Sequence, residues 1–198
     1  MSRLALFDEL KRALAARTPL RLGETPSSRP ASVLIPFYEQ GGEAHLLFLK
    51  RPDGEYAHAG QVAFPGGKRE EGESALQCAL REANEEVGLA PGDAEILGEL
   101  DDFDTVVSRF HVRPVVAVIP SPYPFRPDPR EVERLIHIPL ARLLDPSIFR
   151  AEEREAHGRK WPVYYYSTGP DVVWGVTAGI LTPLLGIIRG LTVGGSGA

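Results

Sequence analysis

The chain has 198 residues, with 22 Lys and Arg against 27 Asp and Glu for a net charge of −5, 43% hydrophobic residues and one cysteine. That length supports one domain with its own core, and the acidic balance excludes a general electrostatic attraction to nucleic acid or to an anionic membrane. The lone Cys78 excludes an internal disulfide and any multi-thiolate zinc site, which points to a reducing, cytoplasmic setting.

In chain order, residues 1–17 place Asp8 and Glu9 among basic and apolar residues, the pattern of an amphipathic surface helix rather than a signal peptide. A polar, proline-containing connector (25–30) follows, and residues 31–190 are expected to form one domain. Two apolar, β-prone runs, 31–38 and 44–51, flank Gly41-Gly42 and predict a hairpin. A loop, a short apolar run (62–64) and a glycine turn (65–72) lead to helical periodicity over Ser74–Val87, with Gly88 placed for a left-handed C-cap. Strands are predicted within 94–107, 111–120, 132–140 and 161–167, and a short helix over Leu140–Leu144. Residues 172–188 are strongly apolar. Gly175, Gly179 and Pro183 interrupt them, and a membrane span needs roughly 20 apolar residues, so a buried helix is expected. The tail, 191–198, is expected to be flexible. Strands and helices mix without regular βαβ alternation, which predicts an α/β fold with a mixed sheet flanked by helices.

The 74–87 helix carries the chemistry. Leu76, Leu80, Ala83 and Val87 form a stripe that can bury, and Glu82, Glu85 and Glu86 share another face. Three like charges repel, and they sit near the C-terminal end, where the helix dipole disfavours them. Arg81 can offset part of this through Glu85 or Glu73, but it cannot neutralise three carboxylates. Two local rules broken together call for a further cation. An all-oxygen ligand set suits Mg²⁺ or Mn²⁺ rather than zinc.

The same stretch resembles a known family. Gly67, Glu73, Arg81, Glu82, Ala83, Glu85, Glu86, Gly88 and Leu89 fill every fixed position of the Nudix box, G-x5-E-x7-R-E-U-x-E-E-x-G-U with U apolar. The resemblance implies an α/β/α sandwich around a mixed sheet, and a hydrolase of nucleoside diphosphates linked to another moiety. It implies a catalytic set of Glu73, Arg81, Glu82, Glu85 and Glu86. Glu82, Glu85 and Glu86 would bind Mg²⁺ or Mn²⁺, Arg81 and Glu73 would position them, and the Gly66 carbonyl is a further candidate ligand. One of the glutamates would take the proton from the attacking water.

Residues 46–67 also resemble the motif of the coenzyme A diphosphatase branch, with Leu47, Arg51, Gly60, Phe64, Pro65, Gly66 and Gly67 in register and His58 and Gln61 typical of it. Residues 173–181 resemble that branch's Trp-Gly-x-Thr-Ala segment. This implies cleavage of coenzyme A or its thioesters to 4′-phosphopantetheine and 3′,5′-ADP, with Arg51, His58, Gln61, Gly66 and Gly67 contacting substrate. Leu49, Pro52 and Tyr56 depart from the motif, and Tyr56 replaces an arginine suited to phosphate. Arg51, Lys50, Lys68 or Arg69 could substitute for it. The alternatives are ADP-ribose, a dinucleotide or an oxidised nucleoside triphosphate as substrate, or a Nudix-fold binding protein without catalysis. The retained carboxylates argue against the last. His45, His111, His137 and His157 share no metal-ligand spacing and are expected to be structural. Cys78 reads as a small helical residue, Tyr164–Tyr166 as core or sheet face, and Trp174 as packing. The expected partner is a small nucleotide, with no nucleic acid or membrane, and the N-terminal helix is a candidate homodimer contact.

Overall fold

Strand β1 (Arg29–Gln40) alternates Ala31, Ile35 and Phe37 on one face with Leu34 and Tyr38 on the other, and all five are buried. A strand apolar on both faces must be covered on both, and this one lies at the centre of a mixed sheet. The computed structural model describes residues 3–23, 28–54, 59–105, 109–156 and 158–194.

On one side β1 runs parallel to β7 (Phe110–Val118), with Val33 opposite Pro114. On the other side its C-terminal half makes the predicted hairpin with β2 (Glu43–Lys50), Phe37 facing Leu46. The two strands then part. Into the fork between them come two short strands, β3 (Val62–Ala63) on β2 and β4 (Gly66–Lys68) on β1. The sequence predicted a turn at 66–68; those residues instead carry a main-chain ladder, which needs no side chains to form. Strands β5 (Glu95–Glu99) and β6 (Phe103–Asp104) pair with β7, and β8 (Arg134–Pro139) pairs with the outer edge of β2.

Helix α2 (Ala75–Val87) covers one face of the sheet. Ser74 caps it in a capping box with Gln77, and Gly88 closes it at φ 73° in the left-handed region. Its buried stripe is Ala79, Ala83 and Val87 with Ala75 and Cys78, packed toward Leu34, Leu47, Leu49 and Val115. Leu76 and Leu80, expected in that stripe, flank it partly buried, because small residues let the helix approach the sheet closely.

The opposite face is covered by α1 (Arg3–Ala15), α3 (Leu140–Leu144) and α4 (Gly175–Gly194). Leu181, Leu184, Leu185 and Ile188 of α4 are fully buried, each contributing about 1.5–3 kcal/mol. Among the described residues no helix is long and apolar enough to cross a membrane. Leu10 and Leu14 of α1 are buried in the same core, so the apolar face offered to a partner by the sequence is occupied within the chain. The helix predicted from 172 starts at Gly175. Residues 172–174 form β11 (Val172–Trp174), with Val173 buried between exposed neighbours.

Strand β11 completes a second, antiparallel sheet with β9 (Phe149–Ala156) and β10 (Arg159–Ser167). Strand β9 has no apolar alternation, being held by its ladder and by pairs such as Lys160 with Glu153 at 2.7 Å. Tyr166 is core, as expected, whereas Trp174 is 41% exposed and stacked on Tyr165.

A buried ion cluster ties the residues before the domain to the sheet. The Asp102 carboxylate accepts from Arg113 at 2.9 and 3.1 Å, from Arg21 at 3.0 Å and from the Leu22 N–H at 3.1 Å, and His111 Nε2 lies 3.1 Å away. Burial alone would raise its pKa, but Arg113 and Arg21 outweigh that and hold it below the usual carboxylate value. A lowered native pKa means that the stabilisation is complete above the unfolded value near pH 4 and is lost as the pH falls through the native one. Asp102→Ala should therefore cost about 1–3 kcal/mol at pH 7 by leaving the partly buried Arg113 and Arg21 nitrogens without their acceptor. Urea unfolding should show the gap between variant and wild type closing below about pH 4.

Candidate active site

The site forms where α2 crosses the fork. Glu86 is 1% exposed, and its carboxylate is satisfied from two directions. Oε2 accepts from the Gly66 N–H at 2.8 Å, and Oε1 accepts from Arg51 Nη2 at 2.9 Å. Burial pushes the Glu86 carboxyl up to about 7, against the opposing pull of Arg51 and the Gly66 N–H. The three glutamates that the helical wheel placed together thus differ widely. Glu86 is buried, the Glu82 side chain is 15% exposed and the Glu85 side chain 56%.

Arg81 organises the remaining acids. Its Nε and Nη2 donate to Glu73 at 2.9 and 3.1 Å, and Nη2 also donates to the Lys68 carbonyl at 3.0 Å. Nη1 donates to Glu82 and to Glu85, each at 2.9 Å. Both partners proposed from the sequence are engaged at once, and Glu82 is a third. The hydrogen bond from Arg81 holds the Glu73 carboxyl below its ordinary value, while burial pushes Glu82 up against the pull of Arg81. Glu82 also lies against Gly67, where a Cβ would sit 2.5 Å from its carboxylate. Cys78 is fully buried, and burial with the charges of Glu73 and Glu82 pushes its thiol up to about 12, which disfavours the thiolate that a nucleophile or a metal ligand needs.

The donors here are carboxylate and carbonyl oxygens, which fit a hard divalent cation. Among the described residues no three His, Cys, Asp or Glu side chains converge closely enough to hold an ion as they stand. Glu82 and Glu85 are turned onto Arg81 and Glu86 onto Arg51, so a cation would compete with two guanidinium groups for these carboxylates.

On the other face of the fork a cleft of about 280 Å³ is lined by Arg51, Gln61, Gly66 and Gly67, four of the five residues predicted to touch substrate. His58, the fifth, and Tyr56 lie outside the described residues. Lys68 also lines the cleft, whereas Lys50 is paired with Glu133 and Arg69 donates to the Glu73 carbonyl. Phe64, Thr105, Phe110, Val176, Thr177 and Ile180, to which sequence reasoning assigned no site role, also line it, together with Ala31, Val33, Ala63 and Val112 of the sheet. The available signal for α4 was the Trp-Gly-x-Thr-Ala resemblance at 173–181, which contains Thr177.

A family model for the NUDIX domain matches residues 28–161. The chain belongs to the Nudix family. Among its relatives, the "Uncharacterized Nudix hydrolase NudL" of Escherichia coli is 37% identical over 182 residues, covering 91% of this chain and 93% of that protein. NudL of Escherichia fergusonii is 36% identical over 190 residues, covering 92% and 94%. The crystal structure of a NUDIX hydrolase from Alicyclobacillus acidocaldarius shares the fold at a TM-score of 0.50 and 17% identity, covering 62% of this chain and 84% of that one. Strand β11 and helix α4 lie beyond the Nudix-matched residues, yet α4 closes the cleft.

The contact of Glu82 with Gly67 is testable. Gly67→Ala should displace the Glu82 carboxylate and lower the rate of diphosphate hydrolysis by at least tenfold, with an unchanged circular dichroism spectrum because the clash falls on a flexible side-chain end.

Proposed function

We propose that this Nudix hydrolase cleaves the diphosphate bond of coenzyme A or its acyl derivatives, giving 4′-phosphopantetheine and 3′,5′-ADP. What supports coenzyme A within the family is one observation. Arg51, Gln61, Gly66 and Gly67, drawn from the stretch that resembles the coenzyme A diphosphatase motif, line one cleft, and Arg51 joins that cleft to Glu86 of the box helix. Lys68 on the cleft wall offers a second cation for phosphate in place of the arginine that Tyr56 replaces.

Glu82, Glu85 and Glu86 would hold Mg²⁺ or Mn²⁺, with the Gly66 carbonyl beside them. The ion, when bound, neutralises diphosphate charge and polarises the phosphorus under attack. The protein's own groups do the rest. Arg81 and Glu73 fix the angle of the glutamates, and the Arg51 guanidinium is placed to share itself between Glu86 and a phosphate oxygen. Gly66, having no Cβ, packs directly on Ser32 and Val33 of β1, and Gly67 leaves room for the Glu82 carboxylate, so the two glycines bring the cleft wall up against the acids of α2. One of the three glutamates takes the proton of the attacking water.

Glu82→Gln and Glu86→Gln should each lower kcat on the order of 10²–10³-fold, the scale of losing one electrostatic anchor of a transition state, without loss of cooperative unfolding. Near-wild-type rates in both variants would overturn the ligand assignment. Product analysis tests the substrate, with coenzyme A, dephospho-coenzyme A and ADP-ribose compared side by side under Mg²⁺ and then Mn²⁺. The expected result is 3′,5′-ADP from coenzyme A, with dephospho-coenzyme A cut more slowly. Equal cleavage of all three would reduce the assignment to a general diphosphatase.

A further inference from the structure

The cleft has two halves of coenzyme A to choose from, and its chemistry discriminates between them. Its walls are largely aliphatic, with Val33 and Val112 from the sheet and Val176 and Ile180 from the first turns of α4. Its aromatic residues are poorly placed to stack a base. Phe64 is 2% exposed and lies on Phe48 at 4.6 Å between centroids, and one face of Phe110 is covered by the Arg29 guanidinium at 4.5 Å. The cations lining it are Arg51, already bonded to Glu86, and Lys68. With both cations engaged by the diphosphate, a nucleotide half bearing a phosphate monoester would bring two further negative charges into an aliphatic lining, which is costly.

One polar group on the α4 side has no task in the fold. Thr177 is 8% exposed and lines the cleft, and its hydroxyl makes no hydrogen bond among the described residues. Thr182, one turn on, shows the alternative, donating to the Ala178 carbonyl at 2.7 Å as helical threonines commonly do. A hydroxyl that opens into the cleft from an otherwise buried residue, between aliphatic walls, suits a neutral ligand that is apolar along its length and carries an amide where the hydroxyl sits.

Resting on the coenzyme A assignment, we infer that the cleft receives the pantetheine arm, a neutral chain of aliphatic segments broken by amides, and that Thr177 hydrogen-bonds one of those amides. The diphosphate then lies at the Arg51 and Gly66 end, and the 3′,5′-ADP half stays outside the cleft. Thr177 is a specificity-determining residue that acts on binding of that arm.

The test uses pantetheine itself, uncharged and lacking phosphate, as an inhibitor of coenzyme A hydrolysis by the full chain. Pantetheine should compete with coenzyme A. Thr177→Val, which keeps shape and removes the hydroxyl, should raise the pantetheine inhibition constant and the KM for coenzyme A about fivefold or more, the scale of one neutral hydrogen bond, with the change falling on KM more than on kcat. Thr177→Ser should restore both. Hydrolysis of coenzyme A that pantetheine does not inhibit, or a Thr177→Val enzyme with wild-type KM, would overturn this inference and leave the substrate assignment standing. Failure of the wild-type enzyme to cleave coenzyme A would overturn both.

Discussion

A carboxylate taken out of water must be met by donors, and Glu86 is met by the Gly66 main chain and by Arg51. That pair of bonds fixes where α2 stands relative to the sheet. One donor belongs to the strand that fills the fork, and the other to the residue that follows β2. Neither can move without leaving a buried charge unpaired, so helix, fork and glycine turn behave as one rigid unit. Arg81 extends the same logic outward. A single planar cation with donors on three nitrogens gathers Glu73, Glu82, Glu85 and the Lys68 carbonyl, and so sets the direction of side chains that would otherwise repel one another.

The fork explains why one site can have two chemically different sides. Had β1 and β2 stayed paired along their full length, the sheet would be a closed wall between its faces. Because they part, a two-stranded plug of residues 62–68 occupies the gap, and its backbone is reachable from both faces. The acids of α2 lie on one face and the aliphatic cleft under α4 on the other, with Arg51 spanning them. A substrate made of a charged diphosphate and a neutral tail can thus meet each kind of surface within a short distance.

Much of this was legible in the residues. The left-handed Gly88 and the hairpin at Gly41-Gly42 are local codes, and the structure reads them as the sequence does. The unequal fates of Glu82, Glu85 and Glu86 were not legible. A helical wheel gives the angle of a side chain but not which neighbouring segment approaches it, and it is the distant Gly66 that buries Glu86. Strand β9 was missed for a related reason. Its charged residues face water or charged neighbours across a hairpin, so its pairing leaves no apolar period to read. Strand β4 exists because β1 left a ladder unfilled, a cause that lies wholly outside the three residues themselves.

The parallel pairing of β1 with β7, in which Val33 meets Pro114, has a kinetic consequence. The candidate catalytic residues, from the fork through α2, lie in the chain segment enclosed by that contact. Closing so long a loop is entropically expensive before any favourable contact rewards it. The central strands and the acid-bearing helix must therefore come together in one late, cooperative step, and a half-assembled chain has no partial site. For this protein, the appearance of catalytic competence during refolding is a clock for the formation of its sheet.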